Sequence, residues 1–366
     1  MKKITVDGRI LYLDNLRVFC MVFGVYYHAA SLGDYQGFNK LIGLSVVFRM
    51  ETFFLVSGFF VALISEKNNL IAFIKKRTFV LMLPFLSTLI LVNPVTIYLS
   101  HGYYNNLPLG TYSLSDAFAK IMTKEHGGPE LHLWFLLVLL IYTYMFFLLR
   151  PALKKLSAWC ERNPSSVALS PITFCIFYAF FWMCFSYSGR LIEYPRLTWP
   201  FMEDLPYFFI GVLAGYSKAV LSKINSLSIP LICLGLFGLA VGEFYRGPGW
   251  GLIRVFGAGL LSVSIVVTLC WVFSEFLEKS SRLSRMLSSA IYTVYLFQGF
   301  FLMGFVSVFG MGFGDLRLIP MLILATVVVF LGVLLHVFVI ERFSVLTLLF
   351  SGKQAQGLPS RHASGT

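Results

Sequence analysis

Arg17 and His28 lie in one apolar stretch with ten residues between them, L-Y-L-D-N-L-R-V-F-C-M-V-F-G-V-Y-Y-H-A-A from Leu11 to Ala30. On a helix, eleven steps of ~100° return the second residue to within ~20° of the first, with ~16 Å of axial rise between them. One helix face therefore carries a cation near one end and an imidazole near the other. In lipid each such group costs ~2.5–3.5 kcal/mol on insertion scales, so both read as functional by default. Imidazole titrates near neutrality and suits the deprotonation of a hydroxyl. A guanidinium suits a donor that carries phosphates or a carboxylate. The pair is compatible with group transfer from a donor at one membrane face to an acceptor at the other.

Two further stretches add polar groups at the His28 depth. F-R-M-E-T-F-F-L-V-S-G-F-F carries Arg49 and Glu51, and H-L-W-F-L carries His132 and Trp134. If the second helix runs back from the His28 end, Arg49 comes within about two turns of that end. Glu51, two residues on, faces a different side. Each residue also has a plainer explanation. Arg49 and Glu51 could neutralise each other or a neighbour, as buried charges do. Trp134 could be an interfacial anchor. His336 with Glu341 reads as structural, Arg254 as a snorkelling side chain, and His101, His126 and His362 as inert loop or tail residues. Convergence at one depth sets His28, Arg49 and His132 apart.

Composition shows what kind of element positions these groups. Hydrophobic residues make up 58% of the 366 and charged residues 13%, with a mean hydropathy of +0.79. A soluble chain carries about 25% charged residues, so the surplus apolar surface must face lipid. The class is all-α, a polytopic membrane protein. The net charge of +12 is distributed by loop, which argues against nucleic acid as a partner. None of the six cysteines has CxxC or metal-ligand spacing, so they read as small buried hydrophobes. No metal site is expected. The basic start (Lys2, Lys3, Arg9) resembles a signal peptide, but Asp14, Asn15 and Arg17 interrupt its apolar core, so an uncleaved first span is expected.

Apolar runs fall at 11–31, 42–64, 78–99, 131–149, 167–187, 205–221, 228–243, 251–273, 287–309 and 318–340, which gives about ten transmembrane helices. Alternate loops hold 19 of the 29 basic residues. By the positive-inside rule both termini are cytoplasmic. Residues 1–350 then form one membrane domain and 351–366 a disordered, Gly/Ser/Gln-rich tail. The loop 100–130 is long enough to imply a function.

L-D-N-L-R at 13–17 followed by His28 resembles the first helix of the acyltransferase 3 family of integral membrane acyltransferases. F-F-L-V-S-G-F-F at 53–60, K-K-R-T-F-V-L-M-L-P at 75–84, H-L-W-F-L-L-V-L at 132–139 and L-L-F-S-G-K at 348–353 are similar to later family segments in the same order. The last two are similar to the branch that succinylates osmoregulated periplasmic glucans. The resemblance implies a multi-pass enzyme of the bacterial inner membrane. It would carry an acyl group, succinyl in that branch, from cytoplasmic acyl-CoA to hydroxyls of a periplasmic glucan. His28 and Arg17 would be catalytic. Asp14, Arg49, Glu51, Ser57, His132, Trp134 and Gln298 would bind substrate, and Lys76 and Arg77 the donor's phosphates. No permanently bound cofactor is implied. Partners would be membrane lipid, the carbohydrate acceptor and other glucan-synthesis proteins. Three positions depart from the family pattern. Val80 stands where a second arginine is usual. Gln298 replaces a histidine, so it can hydrogen-bond but not titrate. Glu51 replaces an uncharged residue, and a carboxylate there would repel succinyl and favour acetyl.

Two alternatives stay open. One is O-acetylation of another surface polysaccharide or lipid-linked sugar. The other is a transporter or flippase using the intramembrane charges as a relay. Transporters often show repeats and Gly/Pro-broken midplane helices. The chain shows no clear repeat, and Ser57-Gly58 is where helix 2 could loosen.

Overall fold

The structure is a computed structural model describing residues 10–33, 42–66, 69–122, 130–166, 170–191, 198–244, 250–278, 282–311 and 316–352. The basic N-terminal residues, Lys67, His126, His362 and the tail from Lys353 lie outside them. The protein is 87% helical with no strands among the described residues, which establishes the all-α class.

The helices are α1 (Leu11–Ala30), α2 (Arg49–Glu66), α3 (Leu70–Leu91), α4 (Asn93–Tyr104), α5 (Leu114–Met122), α6 (Trp134–Arg162), α7 (Pro171–Leu191), α8 (Thr198–Tyr216), α9 (Lys218–Ile224), α10 (Ile229–Phe244), α11 (Trp250–Phe276), α12 (Arg282–Val308), α13 (Leu318–Leu335) and α14 (Ser344–Ser351). A 3-10 turn, Leu131–Leu133, leads into α6, and a π turn, His336–Ile340, follows α13. Six helices are long and apolar enough to cross a membrane, or eight if each of two bent pairs counts as one span. Two more, α1 with 20 residues and α8 with 19, have the length but are more polar. They carry Asp14 and Arg17, and Glu203 and Asp204.

Three boundaries differ from the hydropathy reading. The run at 78–99 divides at Val92, where α3 and α4 meet at 50°. Pro94 lies in the first turn of α4, where its missing N–H and fixed φ favour a helix start over continuation. The run at 205–221 belongs to α8, which begins at Thr198 and ends before Ser217. The Ser217 hydroxyl caps α9 by accepting from the Val220 amide at 3.4 Å. α9 and α10 then bend by 55°. The loop expected at 100–130 contains the end of α4, all of α5 and the approach to α6. Ser113 and Asp116 form a reciprocal N-terminal cap on α5. The Asp116 amide donates to Ser113 Oγ at 3.1 Å, and the Ser113 amide donates to Asp116 Oδ2 at 3.1 Å. Ala117 is buried against Ile97, with Phe118 and Leu131 beside them.

α1 is central and packs against α2, α11, α12 and α13. One apolar cluster joins α1 and α2 to α7, α8 and α11 through Leu16, Cys20, Val56, Tyr178 and Val263. A second joins α2 to α3, α6 and α8 through Phe54, Tyr142, Phe146 and Phe208. A third ties α1 to α12 and α13 through Val25, Ala29, Val306 and Ala325.

The closest crossing is α2 on α8. A Cβ on Gly58 would lie 2.0 Å from the Phe208 carbonyl oxygen, and one on Gly211 would lie 1.9 Å from that of Leu55. Gly215 repeats the contact one turn on, against Phe59 and Ala62. Small residues four apart let backbones approach where lipid supplies no hydrophobic drive between helices. This corrects the expectation for Ser57-Gly58: α2 is continuous there, and Gly58 is a contact point instead of a break. Cys20, Cys160, Cys175 and Cys270 are buried free thiols, whereas Cys184 and Cys233 are exposed. Cys160 is buried because α6 runs through the expected basic loop to Arg162.

Candidate active site

Three helices meet around His28. Its ring lies 6.2 Å, centre to centre, from that of His132 and edge-on to Tyr27 at 5.0 Å. The Arg49 guanidinium carbon stands 4.6 Å above the Tyr27 ring. Arg49 Nη1 occupies the space beside Gly24, 2.8 Å from where a Cβ would be. Gly24 precedes His28 by one turn, so only a residue without a side chain leaves this slot on α1 open. The expected convergence of His28, Arg49 and His132 is present.

α12 holds His132 in place. The Tyr295 hydroxyl donates to the His132 carbonyl at 2.6 Å. The ring rests against Gly299, whose Cβ would lie 3.4 Å from Nδ1 and 3.3 Å from Cε1. Nε2 is buried without a hydrogen-bond partner.

Arg17 lies at the other end of α1. Its Nη2 reaches Ser288 Oγ at 3.3 Å and Asp14 Oδ1 at 3.5 Å. Arg77, near the start of α3, faces the Tyr292 hydroxyl and Arg17. Arg77 Nε and Tyr292 Oη are both buried without hydrogen-bond partners. Lys76 is exposed and turned away. Of the basic entry to α3, Arg77 is the residue placed beside Arg17 and Tyr292.

Between the two ends runs one face of α12. Ser284 bonds Asn15, Ser288 meets Arg17, Tyr292 faces Arg77, and Tyr295 and Gly299 hold His132. Their spacing of four, four, three and four is that of a single helix face. Gln298 is buried close to this line. Sequence reading missed this stripe because serine, tyrosine and glycine in an apolar span carry no charge. The signal was periodicity, since these residues recur at helical spacing on a helix that also bears Gln298.

Glu51 turns away from Arg49's docking face. It is buried among Glu203 and Asp204 of α8 and Ser262 of α11. Ser262 in turn shares a hydrogen bond of 2.6 Å with Tyr207. Starting the sixth span at 205 left Glu203 and Asp204 in a loop, so this carboxyl group of three went unseen. Ser57 is buried in the α2–α8 contact, and Trp134 packs against the second apolar cluster. His336 shares a hydrogen bond with Thr293 through Nδ1 at 2.8 Å, and its Nε2 lies 3.2 Å from Glu341 Oε1, which fits the structural reading. His101 lies in the last turn of α4, edge-on to Tyr112, and not in a loop.

This geometry is a polar path along α1 and α12 inside a helical membrane bundle, with a partly buried imidazole pair at one end and two arginines at the other. The acyltransferase 3 family model, described as an acyltransferase domain, matches residues 10–342. The chain belongs to that family. It is an acyltransferase acting on acceptors other than aminoacyl ones, in a multi-pass membrane setting. No curated protein and no solved structure gives a significant match.

Proposed function

We propose that the protein moves an acyl group, succinyl in the first instance, from cytoplasmic acyl-CoA to hydroxyls of a periplasmic glucan across the bacterial inner membrane. The observation that carries this reading is the length of the path. Arg17 and His28 are separated by ~16 Å along α1. An extended chain covers about 3.5 Å per three bonds. The roughly thirteen bonds from phosphorus to sulfur of a phosphopantetheine arm therefore reach about 15 Å. Phosphates held by Arg17 and Arg77 would bring the thioester to the depth of His28.

His28 then takes the proton of the acceptor hydroxyl as its oxygen attacks the thioester carbon. The new C–O bond forms, the C–S bond breaks, and the thiolate departs with the donor and takes up a proton. His132, whose Nε2 is buried without a partner, is placed to hydrogen-bond a neighbouring acceptor hydroxyl. Asp14 orients Arg17, and Gln298 lies where it can hydrogen-bond the acceptor or the arm. Trp134 and Ser57 take supporting places in the wall. The count of ten spans with both termini cytoplasmic is part of this proposal. It rests on the eight candidate spans, on α1 and α8, and on the loop charges. Branch membership with glucan biosynthesis protein C is proposed from the H-L-W-F-L and L-L-F-S-G-K segments. Other glucan-synthesis proteins would be the partners in the membrane.

Mass spectrometry of periplasmic glucans from a deletion strain tests the reading. Loss of a succinyl increment is the expected result. Loss of an acetyl increment would favour the acetyltransferase alternative, and unchanged glucans would exclude the glucan acceptor.

A further inference from the structure

Arg49 is a partly buried cation with no ion-pair partner in contact. Among the described residues its guanidinium makes no hydrogen bond and has no carboxylate within 4 Å, and its Nε is buried and unsatisfied. Glu51, two residues on, attracts it only from a distance, because its carboxyl group is turned toward Glu203 of α8 and Ser262 of α11. Its close attractive contact is with the Tyr27 ring, which contributes about 0.5–2 kcal/mol, and weaker attraction reaches it from Glu51. Desolvating a guanidinium costs several kcal/mol, so the group is poised for an anion that arrives with a ligand.

The position says which part of the ligand that anion belongs to. Both Arg49 and His28 touch the Tyr27 ring, at 4.6 Å and 5.0 Å, so the guanidinium lies within reach of whatever His28 activates. An acyl carbon under attack lies about 3 Å from the hydroxyl that His28 activates. From that carbon, the three C–C bonds of a four-carbon diacid reach roughly 4 Å. A charge-assisted hydrogen bond of about 2.8 Å completes the distance to the guanidinium. A two-carbon acyl group brings no carboxylate to pair with it. The planar guanidinium also matches a carboxylate with two parallel hydrogen bonds.

We infer that Arg49, docked in the slot that Gly24 leaves on α1, is the specificity residue that binds the free carboxylate of a dicarboxylic acyl group on the donor. The inference rests on the acyl-CoA reading above and deepens it. It also answers the repulsion expected from Glu51, whose carboxyl group is on the far side of α2.

The test is equilibrium binding of CoA, acetyl-CoA and succinyl-CoA to the full-length protein in detergent, without acceptor. Wild type is expected to bind succinyl-CoA about tenfold more tightly than acetyl-CoA, and Arg49→Gln to bind both equally while retaining affinity for CoA. Gly24→Ala keeps the charge but fills the slot, so it is expected to reduce the preference by displacing the guanidinium. It also serves if Arg49→Gln does not fold. Equal affinities in wild type, or equal weakening of both donors in Arg49→Gln, would overturn the inference and leave the donor reading standing. Failure of CoA itself to bind would overturn both.

Discussion

Gly58→Ala probes how the α2–α8 crossing sets the site. The added methyl would fall 2.0 Å from the Phe208 carbonyl oxygen, where an ordinary contact begins at 3.4 Å. Backbone cannot rotate out of the way as a side-chain tip can, so the helices must separate locally by about 1.4 Å or tilt. Overpacking of this kind typically costs 1–3 kcal/mol, and the upper end is expected because backbone lies on both sides of the contact. Gly211→Ala strains the same crossing from the other helix, at 1.9 Å from the Leu55 carbonyl. One separation relieves both clashes, so the double variant should cost less than the sum of the singles, with a coupling of about 0.5–3 kcal/mol. The assay is unfolding of the purified protein from mild detergent into SDS, followed by loss of helicity. Acyl transfer should fall as well, since α2 carries Arg49. Wild-type stability in Gly58→Ala, or strict additivity of the pair, would refute the close crossing.

Further outcomes follow from the two ends of the path. Arg77→Ala and Tyr292→Phe should each weaken donor binding at least several-fold, read by titration with CoA, while leaving membrane abundance unchanged. Gly299→Ala should place a methyl 3.3–3.4 Å from the His132 ring and lower kcat more than the donor's KM, measured in a transfer assay. Asp116 has its carboxyl below the ordinary range because it accepts from the Ser113 hydroxyl and amide. Its share of α5 stability is therefore present above the unfolded carboxylate range near pH 4 and lost only as pH falls through the lowered value. Limited proteolysis at pH 5–8 should then show constant protection of α5 in wild type and increased cleavage in Asp116→Asn.

Much of the fold was legible because hydropathy marks helices whose outsides face lipid. α6, α11, α12 and α13 show this most plainly. The reading was weakest where helices are polar. Residues 198–204 were set in a loop because Glu203 and Asp204 interrupt the hydropathy, yet the backbone stays helical since lipid leaves it no other way to satisfy its amides. The charged parts of the site were legible for the same energetic reason: Arg17, His28, Arg49 and His132 are expensive in an apolar span and stand out. Their sockets were not. Gly24 and Gly299 matter for the side chains they lack, and Tyr292 and Tyr295 look like any interfacial aromatic until α12 is placed against α1. Glycine at 58 could equally have marked a break or a contact, and only the position of α8 decides between them.

The central claim is that one path joins a donor at the Arg17 end to an acceptor at the His28 end. Proteoliposomes with labelled succinyl-CoA sealed on one side and periplasmic glucan supplied only on the other test it directly. Wild type should label the glucan in the orientation that presents Arg17 to the donor, and His28→Ala should reconstitute equally well and label none. Transfer only when donor and acceptor share a compartment, or undiminished labelling by His28→Ala, would contradict the account.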